Sequence, residues 1–197
     1  PRSFNEPDLY IKNNIQGSLN IFRSSIENNV KRVVYASSSS VYGDIEEMPK
    51  VEENIGKALS PYALSKYVCE EFARLFSNEQ TKFIGLRYFN VFGSRQNPEG
   101  PYAAVVPKWI ERISNNKTVE IYGDGLTSRD FCFVSNVIDV NIISALQELN
   151  ENYNVVNVAG GKKVSLNDLY ACLAEYFDSE DEISLSQPVY LDFRKGD

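Results

Sequence analysis

The sequence predicts an α/β protein: a doubly wound parallel sheet whose N-terminal strands are absent, joined to a smaller α/β region. Three observations predict it. Residues 8–28 repeat Ile11, Ile15, Leu19, Phe22 and Ile26 at three- and four-residue spacing, as one face of a helix does. That stretch leads into a short, unbroken apolar run at 33–36. The same pairing recurs as a helical stretch from Ser60 and a second apolar run at 82–89. An apolar run without alternation is a strand buried on both faces, and helix followed by strand is half of the crossover that joins parallel neighbours.

Taken in order, the first helix spans 8–28 and the first strand 30–36, ending in Ser37, Ser38, Ser39 and Ser40. Ser60 suits an N-cap and Pro61 a first helical position, opening a helix that carries Tyr67, Val68, Phe72, Leu75 and Phe76. Strand 82–89 follows. Gly, Pro and Asn then mark loops over 93–101, before a helix at 103–113 and a short strand at 119–122. Helix 136–149 and strand 153–158 repeat the earlier unit, and the last helix, 165–177, is capped by Ser165. The division this predicts is a main sheet domain over 1–90 and about 130–160, and a second, substrate-binding region over about 91–129 and 161–197. Glu175, Asp178, Glu180, Asp181 and Glu182 read as a solvated acidic loop and not as a metal site, since they lack ligand spacing.

Composition limits the chemistry. The chain has 197 residues and no histidine, so it builds no Ser-His-Asp or Cys-His pair and no imidazole base. With 43% apolar and 12% aromatic residues it can bury a core. A net charge of −7 without a basic cluster argues against nucleic acid. Cys69, Cys132 and Cys172 have no ligand spacing and read as reduced thiols in a cytoplasmic setting. No apolar run approaches the roughly 18 residues of a membrane span. Open α/β sheets bind ligands beyond the carboxyl ends of their strands, which here places interest on the serines after Ala36 and on Tyr88, Phe89 and Asn90. No Gly-rich phosphate turn occurs in the chain. The expectation is the later part of a longer protein, inactive by itself.

Tyr62 and Lys66 stand at i and i+4 at the start of the second long helix, one above the other. An adjacent ammonium and the positive end of a helix dipole both favour phenolate, which lets a tyrosine act as a base near neutral pH. Chance alone supplies about 0.7 such pairs in a chain of this composition, and a surface tyrosine lying on a lysine stem fits the spacing equally well. Position separates the readings. The serines end the preceding strand and Tyr62 opens the next helix, so a parallel sheet brings both to one edge, where a serine can hold a substrate hydroxyl.

Five stretches carry a resemblance: VVYASSSSVYG over 33–43, LSPYALSK over 59–66, LRYFNVFG over 86–93, IYGDGLTSRDF over 121–131 and RKGD over 194–197. The chain resembles the extended short-chain dehydrogenase/reductases of Rossmann-like fold, and among them the NAD-dependent nucleotide-sugar epimerases. PRS over 1–3, PKVEEN over 49–54 and YAAVVPK over 102–108 look like the bacterial UDP-N-acetylglucosamine 4-epimerases of surface-polysaccharide pathways.

The resemblance implies that Tyr62 takes the proton of the sugar 4-hydroxyl while hydride leaves C4 for NAD, and that the 4-keto sugar turns before hydride returns. It implies that Lys66 bonds the nicotinamide ribose and that Ser38, with Ser39 beside it, positions the hydroxyl; four adjacent serines leave that assignment open by one. It places Asn14, Ser37, Tyr88 and Phe89 near NAD. It places Asn90, Ala104, Val105, Tyr122, Arg129, Arg194 and Asp197 on the UDP-sugar, the two arginines on its diphosphate. Read alone, Asn14 suits an exposed helix, Tyr122 a strand aromatic and each arginine a surface ion pair. Homodimerisation through helices 8–28 and 61–76 is also implied. The family residue that admits an N-acetyl group lies past Asp197, so other UDP-sugars, glucose or glucuronate, stay open. Dehydratases or decarboxylases are the nearest rivals, but a dehydratase needs an Asp-Glu pair where this chain has serines. A non-catalytic nucleotide-sugar or NAD(P) sensor on the same fold is the rival of another class.

Overall fold

The computed structural model describes residues 2–99, 104–178 and 186–193. In chain order it contains α1 (Arg2–Asn5), α2 (Pro7–Tyr10), a π-helical segment (Ile11–Gln16), α3 (Gly17–Glu27), β1 (Arg32–Ser38), a 3₁₀ turn (Ser39–Tyr42), α4 (Pro61–Phe76), β2 (Lys82–Tyr88) and β3 (Asn90–Phe92). It continues with α5 (Val105–Ser114), β4 (Glu120–Tyr122), β5 (Ser128–Phe133), α6 (Val134–Leu146), β6 (Tyr153–Val158), β7 (Lys163–Ser165), α7 (Leu166–Asp178) and β8 (Val189–Leu191). Two units result. One holds Pro1–Phe89 and Asn136–Val158, the other Asn90–Ser135 and Ala159–Asp197. Mixed α/β architecture with parallel sheets is what the helix-strand periodicity predicts.

The first unit is built on a parallel sheet ordered β1-β2-β6. Phe22 of α3, Ala73 of α4 and Phe83 of β2 form its buried centre, with Ile26, Val33, Tyr35, Phe72, Phe76 and Tyr153 packed around them. The Phe22 ring meets Tyr35 and Phe83 edge-on at 5.3 and 5.0 Å, the geometry aromatic quadrupoles favour. Gly85 interrupts the apolar run of β2 for a packing reason. It is the register partner of Tyr35, and a Cβ there would stand 2.6 Å from the Tyr35 phenol oxygen. α4 begins as its sequence directs: Ser60 Oγ accepts the Ala63 amide at 3.1 Å and Pro61 occupies the first turn.

The expected continuous helix over 8–28 is interrupted. Its middle widens into the π-helical segment around Asn14, whose Nδ2 donates to Ser65 Oγ at 2.9 Å and whose carbonyl accepts Cys69 Sγ at 3.3 Å. Ile11, part of the expected apolar face, is 53% exposed in this segment, and the widening is anchored by the Asn14 bonds to Ser65 and Cys69, residues far on in the chain that periodicity does not reach. Helix 136–149 is likewise shorter, ending at Leu146.

The second unit packs Trp109 and Ile113 of α5, Val119, Ile121 of β4 and Phe177 of α7 into a separate core. β5 pairs parallel with β3 and antiparallel with β7, and β4 pairs with β8. The sequence boundary near residue 130 therefore moves to Asn136, since the pairing of β5 lies wholly within this unit. Ser165 caps α7 reciprocally: Asp168 N donates to Ser165 Oγ at 3.0 Å, and Ser165 Oγ donates to Asp168 Oδ2 at 2.6 Å. These bonds hold the Asp168 carboxyl below its ordinary range.

Burial raises the phenols of Tyr35 and Tyr153 above the ordinary 10.0, Tyr153 to about 12. A group whose folded value is raised contributes stability that is complete below its unfolded value and lost as pH rises through the folded one. Urea-unfolding midpoints are expected to fall between pH 10 and about 12, and Tyr153→Phe to flatten that fall. Equal slopes in the two proteins would contradict the assignment.

Candidate active site

The carboxyl end of β1 sorts the four serines. Ser37 is buried, 3% exposed, and its Oγ donates to Glu70 Oε1 inside the unit. Ser38 Oγ accepts the Ser40 amide at 3.2 Å and the Ser40 hydroxyl at 2.9 Å, making Ser38 the cap of the 3₁₀ turn. A hydroxyl oxygen that accepts retains its own proton to donate. Ser39 opens the turn, half-buried.

Tyr62 occupies the first turn of α4 and Lys66 the next turn, with Lys66 Nζ 6.0 Å from the Tyr62 ring centroid. Lys66 Nζ donates to Ala36 O at 2.9 Å, two residues before Ser38. Helix and strand end are thereby tied at the point where a parallel sheet presents its ligand-binding edge. Burial lowers the Lys66 pKa. Tyr10 meets Tyr62 edge-on at 6.0 Å, and Ser65, bonded to Asn14, donates its hydroxyl to Tyr62 O at 2.8 Å. The π-helical segment thus braces the turn that carries Tyr62. Tyr88 bonds the Asn141 side chain of α6 at 3.0 Å, and Phe89 N donates to Val158 O at 3.1 Å.

Sequence reading missed the polar network beneath these residues. Arg87 and Glu70, each 2% exposed, pair in a fork: Arg87 Nε donates to Oε1 at 3.0 Å and Nη2 to Oε2 at 2.8 Å. Arg87 Nη1 donates to Glu52 O at 2.8 Å, and the guanidinium lies 4.9 Å from the centre of the Tyr42 ring. Burial opposes the Arg87 charge, but the bond to Glu70 outweighs it and the net pKa is raised. Tyr42 Oη donates to Asn157 Oδ1 at 2.6 Å, and burial raises its pKa. A signal existed in the sequence: an arginine inside the buried run 82–89 demands a buried acid, and Glu70 lies one turn beyond Lys66.

The second unit holds a cavity of about 390 Å³. Asn90, Ala104, Val105, Tyr122 and Arg129, all expected at a substrate, line it, together with Lys108 and Arg112, which the sequence did not single out. Arg112 is committed to Thr118 O at 2.6 Å and Glu120 Oε1 at 3.0 Å. Arg129 spends one N–H on Ser128 O at 3.0 Å, and Asn90 Nδ2 donates to Asp130 O at 3.1 Å. Three cations against the one carboxylate of Glu120 make the described wall suited to an anion. Arg194 and Asp197 lie outside the described residues. Among the described residues no cluster of metal-ligating side chains occurs, and no helix is long and apolar enough to cross a membrane.

The model of the NAD dependent epimerase/dehydratase family matches residues 1–159. A putative UDP-glucose 4-epimerase of Methanocaldococcus jannaschii is 33% identical over 193 residues, covering 93% of this chain and 62% of that protein. The structure of a UDP-N-acetylglucosamine 4-epimerase from Methanobrevibacter ruminantium, in complex with UDP-N-acetylmuramic acid, superposes with a TM-score of 0.91 at 41% identity, over 100% of this chain and 61% of that one. A UDP-glucose 4-epimerase of Thermotoga maritima with UDP-glucose gives a TM-score of 0.89 at 35% identity, over 99% and 61%. The chain thus spans about three-fifths of the length of these proteins.

If the cavity binds anions through Arg129, then Arg129→Gln is expected to weaken inorganic pyrophosphate binding about tenfold, the scale of one charge-assisted hydrogen bond. Isothermal titration calorimetry at low salt reads this, and unchanged affinity would remove Arg129 from that role.

Proposed function

The chain belongs to the NAD dependent epimerase/dehydratase family, and from that premise we propose that the protein carrying it interconverts C4 epimers of a UDP-hexose. The pair proposed is UDP-N-acetylglucosamine and UDP-N-acetylgalactosamine. The observation that carries the reaction is the Tyr62–Lys66 couple on the first turns of α4, tied by Lys66 to the end of β1. The 41% identity to a UDP-N-acetylglucosamine 4-epimerase supports the substrate. UDP-glucose is the second reading, favoured by the two UDP-glucose 4-epimerase relatives.

The residues present fit NAD. An ammonium has three N–H donors; Lys66 gives one to Ala36 O, and the others suit the paired hydroxyls of a ribose. Asn14 would act through the bracing it gives α4, Ser37 through the strand end it seats, and Tyr88 and Phe89 through backbone at the end of β2. When bound, NAD supplies an acceptor and donor of hydride at C4.

The chain's own residues handle the proton. Tyr62 takes it from the 4-hydroxyl, holds it while C4 is oxidised, and returns it to the 4-oxygen, so no net proton is exchanged. Lys66 keeps a positive charge beside the phenol throughout. Ser38, its oxygen occupied by Ser40 and its own proton free to donate, orients the 4-oxygen. Elimination of water would need an Asp-Glu pair beside the catalytic hydroxyl residue, and the chain neighbours of Ser38 are serines instead, which favours epimerisation over dehydration. In the second unit, Arg129 and Lys108 would meet the diphosphate, and Ala104, Val105 and Tyr122 the nucleoside.

Proton NMR of sugar nucleotides is expected to show conversion at C4 without added oxidant, and Tyr62→Phe to lower kcat by about 10²–10⁴ with KM little changed. Retention of more than a tenth of the activity by Tyr62→Phe would sink the assignment. Parallel assays with UDP-glucose and UDP-glucuronate decide the substrate.

Homodimerisation through α3 and α4 and a cytoplasmic location are part of the same reading. α4 exposes Leu64, Tyr67 and Leu75, and α3 exposes Ile21, while the three cysteines are free thiols. Leu64→Glu with Leu75→Glu is expected to give monomers in sedimentation equilibrium; an unaltered mass would place any self-association elsewhere.

A further inference from the structure

Lys66 and Glu70 sit on successive turns of α4 and reach successive residues of β1. Lys66 donates to Ala36 O, and Glu70 accepts from Ser37 Oγ. The residue that follows is Ser38. Glu70 does more than neutralise Arg87, since its Oε1 accepts from both Ser37 and Arg87 while Oε2 takes a second bond from Arg87. Arg87 in turn reaches Glu52 O and the Tyr42 ring, so a single carboxylate joins β1, α4, β2, the loop at Glu52 and the 3₁₀ turn.

We propose that Glu70 is a positioning residue, which through Ser37 sets the direction in which the end of β1 presents Ser38 to the Tyr62–Lys66 couple. The proposal rests on the epimerase reading and adds a device that aligns its proton chemistry. Successive side chains of a strand point to opposite faces. Seating Ser37 inward on Glu70 therefore fixes where Ser38 leaves the sheet and where its turn begins. An ion pair kept for stability alone has no need of this third bond, because a well-packed apolar pair of similar volume serves as well or better. Ser37 is also 3% exposed, and its hydroxyl is spent inside the unit.

Removing Glu70 would strand the buried Arg87 charge and risk unfolding, so the informative variant is Ser37→Ala, which leaves the ion pair whole. Three measurements on the complete protein, saturated with NAD, test the tether. Ser37→Ala is expected to lower kcat about tenfold, equivalent to 1.4 kcal/mol, with KM for the UDP-sugar within about twofold. Amide exchange of Ser38 to Tyr42 is expected to accelerate at least tenfold while the melting temperature changes by no more than about 2 °C. Ser37→Thr, which keeps the hydroxyl, is expected to recover most of the loss in kcat.

An unchanged kcat overturns the proposal, as does Ser37→Thr impaired as deeply as Ser37→Ala. A weakened affinity of Ser37→Ala for NAD with kcat unchanged at saturation also overturns it, since Ser37 would then be a cofactor contact. The exchange measurement needs no turnover. An inactive parent protein counts against the epimerase reading, whereas unaltered exchange over Ser38 to Tyr42 counts against the tether by itself.

Discussion

A guanidinium buried in a parallel sheet is the constraint to which the first unit is fitted. Arg87 stands in β2 with 2% of its surface exposed, and a lone ion there would cost several kcal/mol even after relaxation. Glu70 offsets that cost only by approaching in plane, with both oxygens on the fork. This requirement holds the face and rotation of α4, because Glu70 must point at the sheet. Tyr62 and Lys66, two turns and one turn earlier on the same stripe, are placed as a consequence. Breaking such a pair by removing one partner costs about 3–5 kcal/mol, a large part of the 5–15 kcal/mol that holds a domain folded.

The two units carry different physics. The first holds polar groups near a strand end: a phenol, an ammonium and a hydroxyl whose acceptor side is already filled. The second supplies a concave wall richer in cations than in carboxylates, with Tyr122 and aliphatic side chains beside them. A proton carrier and an anion-binding wall are what a nucleotide-sugar reaction asks of a protein when redox chemistry comes from a cofactor. The lack of histidine is compatible with the proposed reaction, which assigns to a tyrosine beside a lysine the work an imidazole does elsewhere.

Much of this was legible in the residues. The apolar runs at 33–36 and 82–89 located β1 and β2, Ser60-Pro61 located the start of α4, and the Ser165 cap located α7. The i, i+4 spacing of Tyr62 and Lys66 was visible too, but it was their position after the serine-ended strand that singled the pair out. What stayed hidden depends on partners distant in the chain. Strands of three residues such as β3 and β7 carry too few side chains for any period, and the π-helical widening is anchored through Asn14 to Ser65 and Cys69, far on in the chain. Glu70 and Arg87 were not singled out, because only folding brings them to 2.8 Å. The resemblance put Ser37 near NAD, but its bond to Glu70 was not legible, because only the direction of its side chain assigns it there.

The most direct test of the central claim follows the hydrogen at C4. With UDP-N-acetylglucosamine deuterated at C4, incubated in ordinary water until both epimers are present, the account predicts full retention of deuterium at C4 in substrate and product alike. Only the hydroxyl proton passes through Tyr62, so the carbon-bound hydrogen never meets solvent. Washout of the label into water during epimerisation would contradict the account, because it would mean that C4 loses its hydrogen as a proton.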